Sequence, residues 1–285
     1  MIEQLRRLAV LRRNGGAMIF YFTGTGNSLH VARELAAATR VDALHSIAQE
    51  LRFGPQIYKD ETVVIVSPVY YHELPDPVRE FVVANTFVCD YFAIVGTYGN
   101  RHGGFAELTR RFLEEQGMRA DYVNAVMMVD NALPGYDIAE QLRIDPEKQV
   151  ETQIAAVAAD IEARRAYVMP CSEEDLAHHF KLVEKGRIVP TADNPLYRVS
   201  GACIGCGVCA QVCPMNCIEV VGGRAVHSYE RCAICMACIH ACPELAIEFA
   251  TLREKNAGVH YRNPHISLDD LIAANGEQGS CAASR

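Results

Sequence analysis

The chain has 285 residues, 50% of them apolar and 22% charged, and its 35 acidic against 27 basic residues leave a formal charge of −8. That length suits one large domain with a small one, or two of middling size, and the composition excludes wholesale disorder. An acidic balance without clustered Lys and Arg excludes nucleic acid as the main partner, and no apolar run approaches the roughly 20 residues that cross a bilayer.

Residues 1–17 read as an N-terminal extension containing Arg6, Arg7, Arg12 and Arg13. Its apolar run, Leu8 to Leu11, is too short for a signal-peptide core, and arginines follow it. The extension is either a leader before a true start at Met18 or a short basic surface helix. Without an export signal the expected location is cytoplasmic and reducing. Twelve cysteines in such a compartment indicate metal or redox chemistry, not a disulfide framework.

Apolar runs predict strands over residues 19–22, 62–67, 91–97 and 122–129, and helices fall at about 29–38, 76–84, 104–116 and 147–167. Strands alternating with helices imply an α/β fold with a doubly wound parallel sheet over residues 18–169. Ligands in such folds sit at the carboxyl ends of the strands, and three unusual loops occur there. The first is Thr23-Gly24-Thr25-Gly26-Asn27-Ser28. Two glycines permit a tight turn with backbone N–H groups directed inward at a helix N-terminus, and hydroxyl and amide side chains add donors. A dinucleotide fingerprint would need glycine where Leu29 stands, and a P-loop would need a lysine. A cradle without a cation suits a phosphate monoester; the plainer reading is a glycine-rich turn with a capping serine.

The second loop, residues 67–77, contributes Pro68, Val69, Tyr70 and Tyr71. The third, residues 97–104, contributes Thr97, Tyr98, Gly99, Asn100 and Gly103. The tyrosines are candidate stacking surfaces, or simply core or surface residues. His102 is a weaker candidate, since a loop histidine is more often solvated.

Residues 170–198 form a polar linker whose charges suit a solvated helix. Then come two cysteine runs, Cys203, Cys206, Cys209, Cys213-Pro214 and Cys232, Cys235, Cys238, Cys242-Pro243. Both follow C-x2-C-x2-C-x3-C-P, and every cysteine of the second follows its counterpart in the first at one constant offset. The flanks repeat as well, so the run is an internal duplication. Three thiolates spaced by two residues sit on one tight loop, with glycines such as Gly205 and Gly207 letting amides approach the sulfurs. Structural zinc also uses paired C-x2-C units, but it leaves no need for a third cysteine or the trailing Cys-Pro. Eight ligands in a duplicated unit favour iron-sulfur. Cys217 occupies the place of Ala246 and reads as a small buried side chain, and Cys89 as a core residue; Cys171 and Cys281 receive no role, and His240 reads as filler. Residues 250–285 read as a tail.

The cysteine runs, over residues 199–249, closely resemble bacterial two-cluster ferredoxins, a small α+β domain. In that family the fourth cysteine ligates the other cluster. The resemblance therefore implies one [4Fe-4S] cluster on Cys203, Cys206, Cys209 and Cys242, and a second on Cys232, Cys235, Cys238 and Cys213. Phe22 to Ser28 resembles the flavodoxin phosphate signature, which implies FMN, with the two later loops enclosing its ring. The order of these motifs, with Asp130-Asn131 and a C-terminal two-cluster ferredoxin, resembles the flavodoxin/ferredoxin fusion proteins of anaerobes. The resemblance implies an electron relay between two [4Fe-4S] clusters and FMN, with redox proteins as donor and acceptor. An FMN-dependent reductase of a quinone, disulfide or corrinoid is the alternative, and a non-redox zinc protein a third reading. No nucleophile-base constellation stands out for catalysis. Precedent in iron-sulfur flavoproteins leaves room for a homodimer in which a partner chain supplies the flavin-to-cluster contact.

Overall fold

The structure, a computed structural model, describes residues 16–41 and 43–276 together with the backbone of 10–12. The N-terminal reading thus falls mostly outside the described residues, except that Val10–Arg12 is a strand and not helix. The chain divides into two compact units. The first takes in residues up to Phe22, then Asn27–Asp130 and Ile144–Arg187. The second takes in Thr23–Gly26, Asn131–Arg143 and the described residues from Ile188 to Gly276.

In chain order the first unit runs β1 (Val10–Arg12), β2 (Ala17–Tyr21), α1 (Asn27–Thr39), β3 (Leu44–Ser46), α2 (Ile47–Glu50), β4 (Ile57–Lys59), β5 (Thr62–Pro68), α3 (Asp76–Ala84), β6 (Thr86–Val88), β7 (Tyr91–Tyr98), α4 (Phe105–Glu115) and β8 (Tyr122–Met127). After α5 (Ile138–Ile144) it resumes with α6 (Val150–Glu162), β9 (Tyr167–Val168) and α7 (Glu173–Glu184). Six strands form a wholly parallel sheet in the order β3-β2-β5-β7-β8-β9. This is the doubly wound order, in which the chain reverses direction across the sheet between β2 and β5. The central strands are covered on both faces, so they read as continuous apolar runs: every residue of β5, and all of β7 but Tyr98, is buried.

A smaller parallel sheet, β1-β4-β6, lies in the same unit. Its strands are three residues each, too short to register as a period in the sequence. Tyr58 of β4 and Phe87 of β6 pack with Phe20 of β2 and Phe81 of α3, at ring separations of 4.7 to 6.0 Å. Such aromatic burial holds short strands that hydrogen bonding alone would not.

The second unit runs β10 (Tyr197–Val199), α8 (Val208–Gln211), β11 (Ile218–Val221), β12 (Arg224–His227), α9 (Ala237–Ala241), β13 (Ile247–Phe249) and α10 (Leu268–Asn275). The duplication is visible in the fold. Helix α9 starts one residue before Cys238, as α8 starts one before Cys209, and β13 follows the second run at the place where β11 follows the first. Strands pair crosswise between the halves, β10 with β13 and β11 with β12, both antiparallel. Gly222 and Gly223, with φ of 60° and 75°, close the β11–β12 hairpin as a turn whose two central residues must both be left-handed.

The segment after residue 250, expected to be a tail, is folded through Gly276. Ser267 and Asp270 form a reciprocal capping box at the start of α10, and Tyr261, Asn263, Ile266, Leu271 and Asn275 are buried. In the linker region, α7 begins at an equivalent box made by Ser172 and Asp175 and is mostly exposed, as its charges required.

Candidate functional site

Each cysteine run builds a loop that enters a short helix. In the first, Gly205 and Gly207 hold φ of 68° and 77°, and Asn216 holds 51°. In the second, Ile234, Met236 and Leu245 stand at the matching positions and hold 55°, 59° and 49°. The repeated left-handed residues turn successive cysteines toward a common centre.

Two cavities result. One is lined by Cys203, Cys206, Cys209 and Cys242. The other is lined by Cys213, Cys232, Cys235 and Cys238, and also by Cys217. Each cavity therefore draws three cysteines from one run and the Cys-Pro cysteine of the other. Backbone donors reach the sulfurs at matching places: Cys217 N–H donates to Cys213 Sγ at 3.3 Å, and Ala246 N–H to Cys242 Sγ at 3.2 Å.

Burial pushes the Cys209 thiol up to about 11 and those of Cys232, Cys235 and Cys238 above their ordinary value as well. Four thiolates gathered in such surroundings are costly unless metal charge compensates them. Cys203 is drawn the other way, by backbone N–H groups of Ala225 and Gly205. The four-thiol donor sets and the N–H···S bonds fit [4Fe-4S] clusters.

Cys217 is buried, as expected of it, and lines the second cavity. Its N–H donates to Cys213 Sγ at 3.3 Å, and its thiol donates to Met215 O at 3.5 Å. Sequence alignment of the repeats gives no sign of the thiol's bond, because its counterpart is Ala246. His240 is not filler: Nε2 donates to Asn131 O at 2.9 Å, and Nδ1 accepts from Tyr261 N–H at 3.0 Å. Among the other cysteines, Cys89 and Cys171 are half-buried free thiols, and Cys281 lies outside the described residues.

The glycine-threonine loop is divided between the units: Thr23–Gly26 belong to the second, whereas Asn27 and Ser28 open α1 in the first. Thr23 and Thr25 are 1% and 3% exposed, and Gly26 N–H donates to Thr23 Oγ1 at 3.1 Å. Gly26 has φ of 104°, and a Cβ there would lie 3.0 Å from Asn263 and Ile266, so glycine is required. No acidic side chain stands in the first turn of α1, which leaves the positive end of a 13-residue helix available to an anion. The buried Thr23 and Thr25 hydroxyls of this loop fit a phosphate monoester.

Within the first unit, Ser28 Oγ lies 2.8 Å from Thr97 Oγ1, bringing the ends of β7 and α1 together. Val69 N–H donates to Thr97 O at 2.9 Å, carrying the pairing of β5 and β7 one residue beyond Pro68. Tyr70 exchanges two backbone hydrogen bonds with Glu73 in a tight turn, in which Tyr71 and His72 are left-handed. The Tyr71 ring is faced by the Arg187 guanidinium at 5.6 Å, and Arg187 also pairs with Glu73. The Tyr98 ring meets His102 edge-on at 5.6 Å. A Cβ on Gly99 would strike Asp130, and one on Gly103 would strike the His72 ring. These glycines admit neighbouring side chains at close range. Asn100 is exposed at the rim.

Two family models match separate stretches of the chain. Residues 18–95 match the model described as a flavodoxin domain, and residues 195–255 the model described as a 4Fe-4S dicluster domain. Among curated proteins, NADH-quinone oxidoreductase subunit I of Pelobacter propionicus is 32% identical over 114 residues, 35% of this chain and 59% of the relative. The formate dehydrogenase iron-sulfur subunit of Wolinella succinogenes is 38% identical over 80 residues, 26% of this chain and 40% of the relative. The chain thus spans about half the length of these relatives. Among solved structures, Megasphaera elsdenii flavodoxin is similar at a TM-score of 0.28 and 17% identity, covering 38% of this chain and 84% of its own. A flavodoxin from the domain Archaea reaches 0.28 and 18%, covering 50% and 98%. Among the described residues no helix is long and apolar enough to cross a membrane.

Proposed function

Because the chain joins a flavodoxin domain to a 4Fe-4S dicluster domain and is an iron-sulfur flavoprotein of electron transfer, we propose that it relays electrons between two [4Fe-4S] clusters and FMN on behalf of other redox proteins. The observation that carries this reading is the pair of four-cysteine cavities in one duplicated unit.

Cys203, Cys206, Cys209 and Cys242 hold one cluster, and Cys213, Cys232, Cys235 and Cys238 the other. The crossed sets bind both halves of the unit to each cluster, so neither half folds about its metal alone. Backbone N–H groups of Cys217 and Ala246 offset thiolate charge and help set the potential. Thr23, Thr25 and Ser28 receive the flavin phosphate at the start of α1, with Asn27 beside them. The loops at Pro68–Tyr71 and Thr97–Gly103 flank its ring, where Tyr98 and Tyr70 are the aromatic contacts; Tyr71 serves less well, its face being taken by Arg187. When bound, the clusters carry single electrons and the flavin one or two. The relatives named above are subunits of redox enzymes, which supports redox proteins as donor and acceptor.

The test is anaerobic isolation followed by iron, sulfide and flavin analysis and a redox titration. About eight irons, eight sulfides and one FMN per chain are expected from two four-iron cubes and one cradle. A colourless zinc-loaded protein would sink the cluster assignment, and clusters without flavin would sink the relay. Reduced protein that re-oxidises only with protein acceptors supports the carrier. Rapid turnover with a quinone, disulfide or corrinoid would overturn it in favour of a reductase.

A further inference from the structure

The Thr23–Gly26 loop is held from behind by residues that carry neither sulfur ligand nor phosphate contact, all of them inside the second unit. Asn275, the last residue of α10 and 0% exposed, donates through Nδ2 to Thr23 O at 3.0 Å and to Val212 O at 3.1 Å. Val212 directly precedes Cys213. Asn263 N–H donates to Thr25 O at 2.9 Å. Asn131 Nδ2 donates to Thr25 Oγ1, and Asn131 O accepts from His240 Nε2 at 2.9 Å. His240 stands on α9 between Cys238 and Cys242. Since Tyr261 N–H can only donate, His240 Nδ1 is the acceptor and Nε2 carries the proton.

These bonds bear on the loop's amides. In a trans peptide the carbonyl of one residue and the N–H of the next point in opposite directions. Anchoring Thr23 O therefore orients Gly24 N–H, and anchoring Thr25 O orients Gly26 N–H, the donor to Thr23 Oγ1. A loop already ordered before binding spares the ligand the entropy of ordering it.

We propose that Asn275 and His240 are positioning residues for the phosphate loop. Asn275 sets the Thr23–Gly24 peptide, and His240 sets the Thr25 hydroxyl through Asn131, so the cysteine-bearing segments hold the loop in its binding conformation before a phosphate monoester arrives. The proposal rests on the reading of Thr23–Ser28 as an FMN phosphate cradle.

The experiment uses the full cluster-loaded chain with flavin stripped, as wild type and as Asn275→Ala, His240→Ala and His240→Gln. Hydrogen exchange is followed at the amides of residues 24–28, and FMN and riboflavin affinities are measured in parallel. Loss of a buried hydrogen bond should speed exchange of the loop about tenfold in both alanine variants. Glutamine offers a donor and an acceptor and should restore it. FMN should bind about tenfold more weakly and riboflavin as before, with iron content unchanged. Unchanged exchange, no rescue by glutamine, equal loss of both flavins, or loss of iron would overturn the proposal. A wild-type chain that binds no FMN would sink the flavin reading while the exchange comparison still judges the loop.

Discussion

The two cysteine runs share one spacing and one backbone trace, yet they reach that trace by different means. The first run supplies glycine at two of its three left-handed positions; the second supplies Ile234, Met236 and Leu245. A left-handed residue with a side chain costs on the order of 1–2 kcal/mol, and a β-branched one is a true outlier. The first site also leaves Cys206 exposed, whereas burial pushes Cys235 and Cys238 far up at the second. Ligand geometry is thus what the repeats hold in common, and glycine is one way of meeting it. Gly205 is the exception: a Cβ there would lie 2.4 Å from Gly223 O, in the turn of the β11–β12 hairpin.

The largest effect should come from the crossed ligand sets. Cys206→Ser with Cys242→Ser removes two ligands from one cavity, and iron analysis should return about four irons per chain, from the cube that remains. Cys235→Ser with Cys242→Ser strikes both cavities and should leave almost none. Equal iron in the two double variants would break the assignment of one cavity to each mixed set.

Acid should act unevenly on the repeats. His227 lies in β12, stacks on Tyr229 at 5.4 Å and lines the second cavity, whereas the residue at the matching place before the first run, Arg198, is exposed. Burial lowers His227 from 6.5 to about 4. The unfolded chain therefore takes up a proton before the folded one, so this group's contribution is complete above pH 6.5 and declines as pH falls toward 4. His240, lowered to about 4 chiefly by burial, adds to the same slope. Urea midpoints of wild type should drop between pH 7 and pH 5 by an amount worth up to about 2 kcal/mol for each of the two histidines. His227→Phe keeps the stacking and should show a visibly shallower drop; an identical slope would remove His227 from the account.

Backbone strain gives a smaller contrast. Gly205→Ala should destabilise the chain by about 2 kcal/mol, from the forced φ and the contact with Gly223. Ile234→Gly, at the matching position, should stay within about 1 kcal/mol of wild type, because relief of φ offsets lost packing. Thermal midpoints of the cluster-loaded variants would show whether the ranking holds. The smallest effect is in the potentials. Water at the first site favours the more negative reduced cluster, so that site should be reduced at a potential higher by tens of millivolts. Voltammetry of the single-cluster variants reads this directly, and the opposite order would mean that N–H···S bonds outweigh exposure.

Elements with a clear period or spacing are legible in the sequence. The helix predicted at 76–84 is observed over those residues, and the strands predicted from 62 and 91 end one residue later than predicted. The strands β1, β3, β4, β6 and β9 carry no such signal, because two or three residues display no alternation. The folded segment after residue 250 did carry a sign: Ser267-Leu-Asp-Asp270 before an apolar run, with Gly276 beyond it, is a capping box and a helix stop. His240 carried none, since a buried histidine looks the same in sequence whether or not it finds a partner.

By itself the sequence determined the features that act over a few residues: the cysteine spacing and its duplication, the threonine-glycine turn at a helix start, and the alternation that makes a parallel sheet. Those patterns encode contacts within one loop or one turn, where chain geometry leaves few choices. Tertiary structure alone decided that Tyr71 is covered by Arg187 and that Asn275 reaches Thr23 from the far end of the described chain. Each of these depends on where separate elements come to rest, and a polar side chain reveals its partner only when packing has brought one within hydrogen-bond reach.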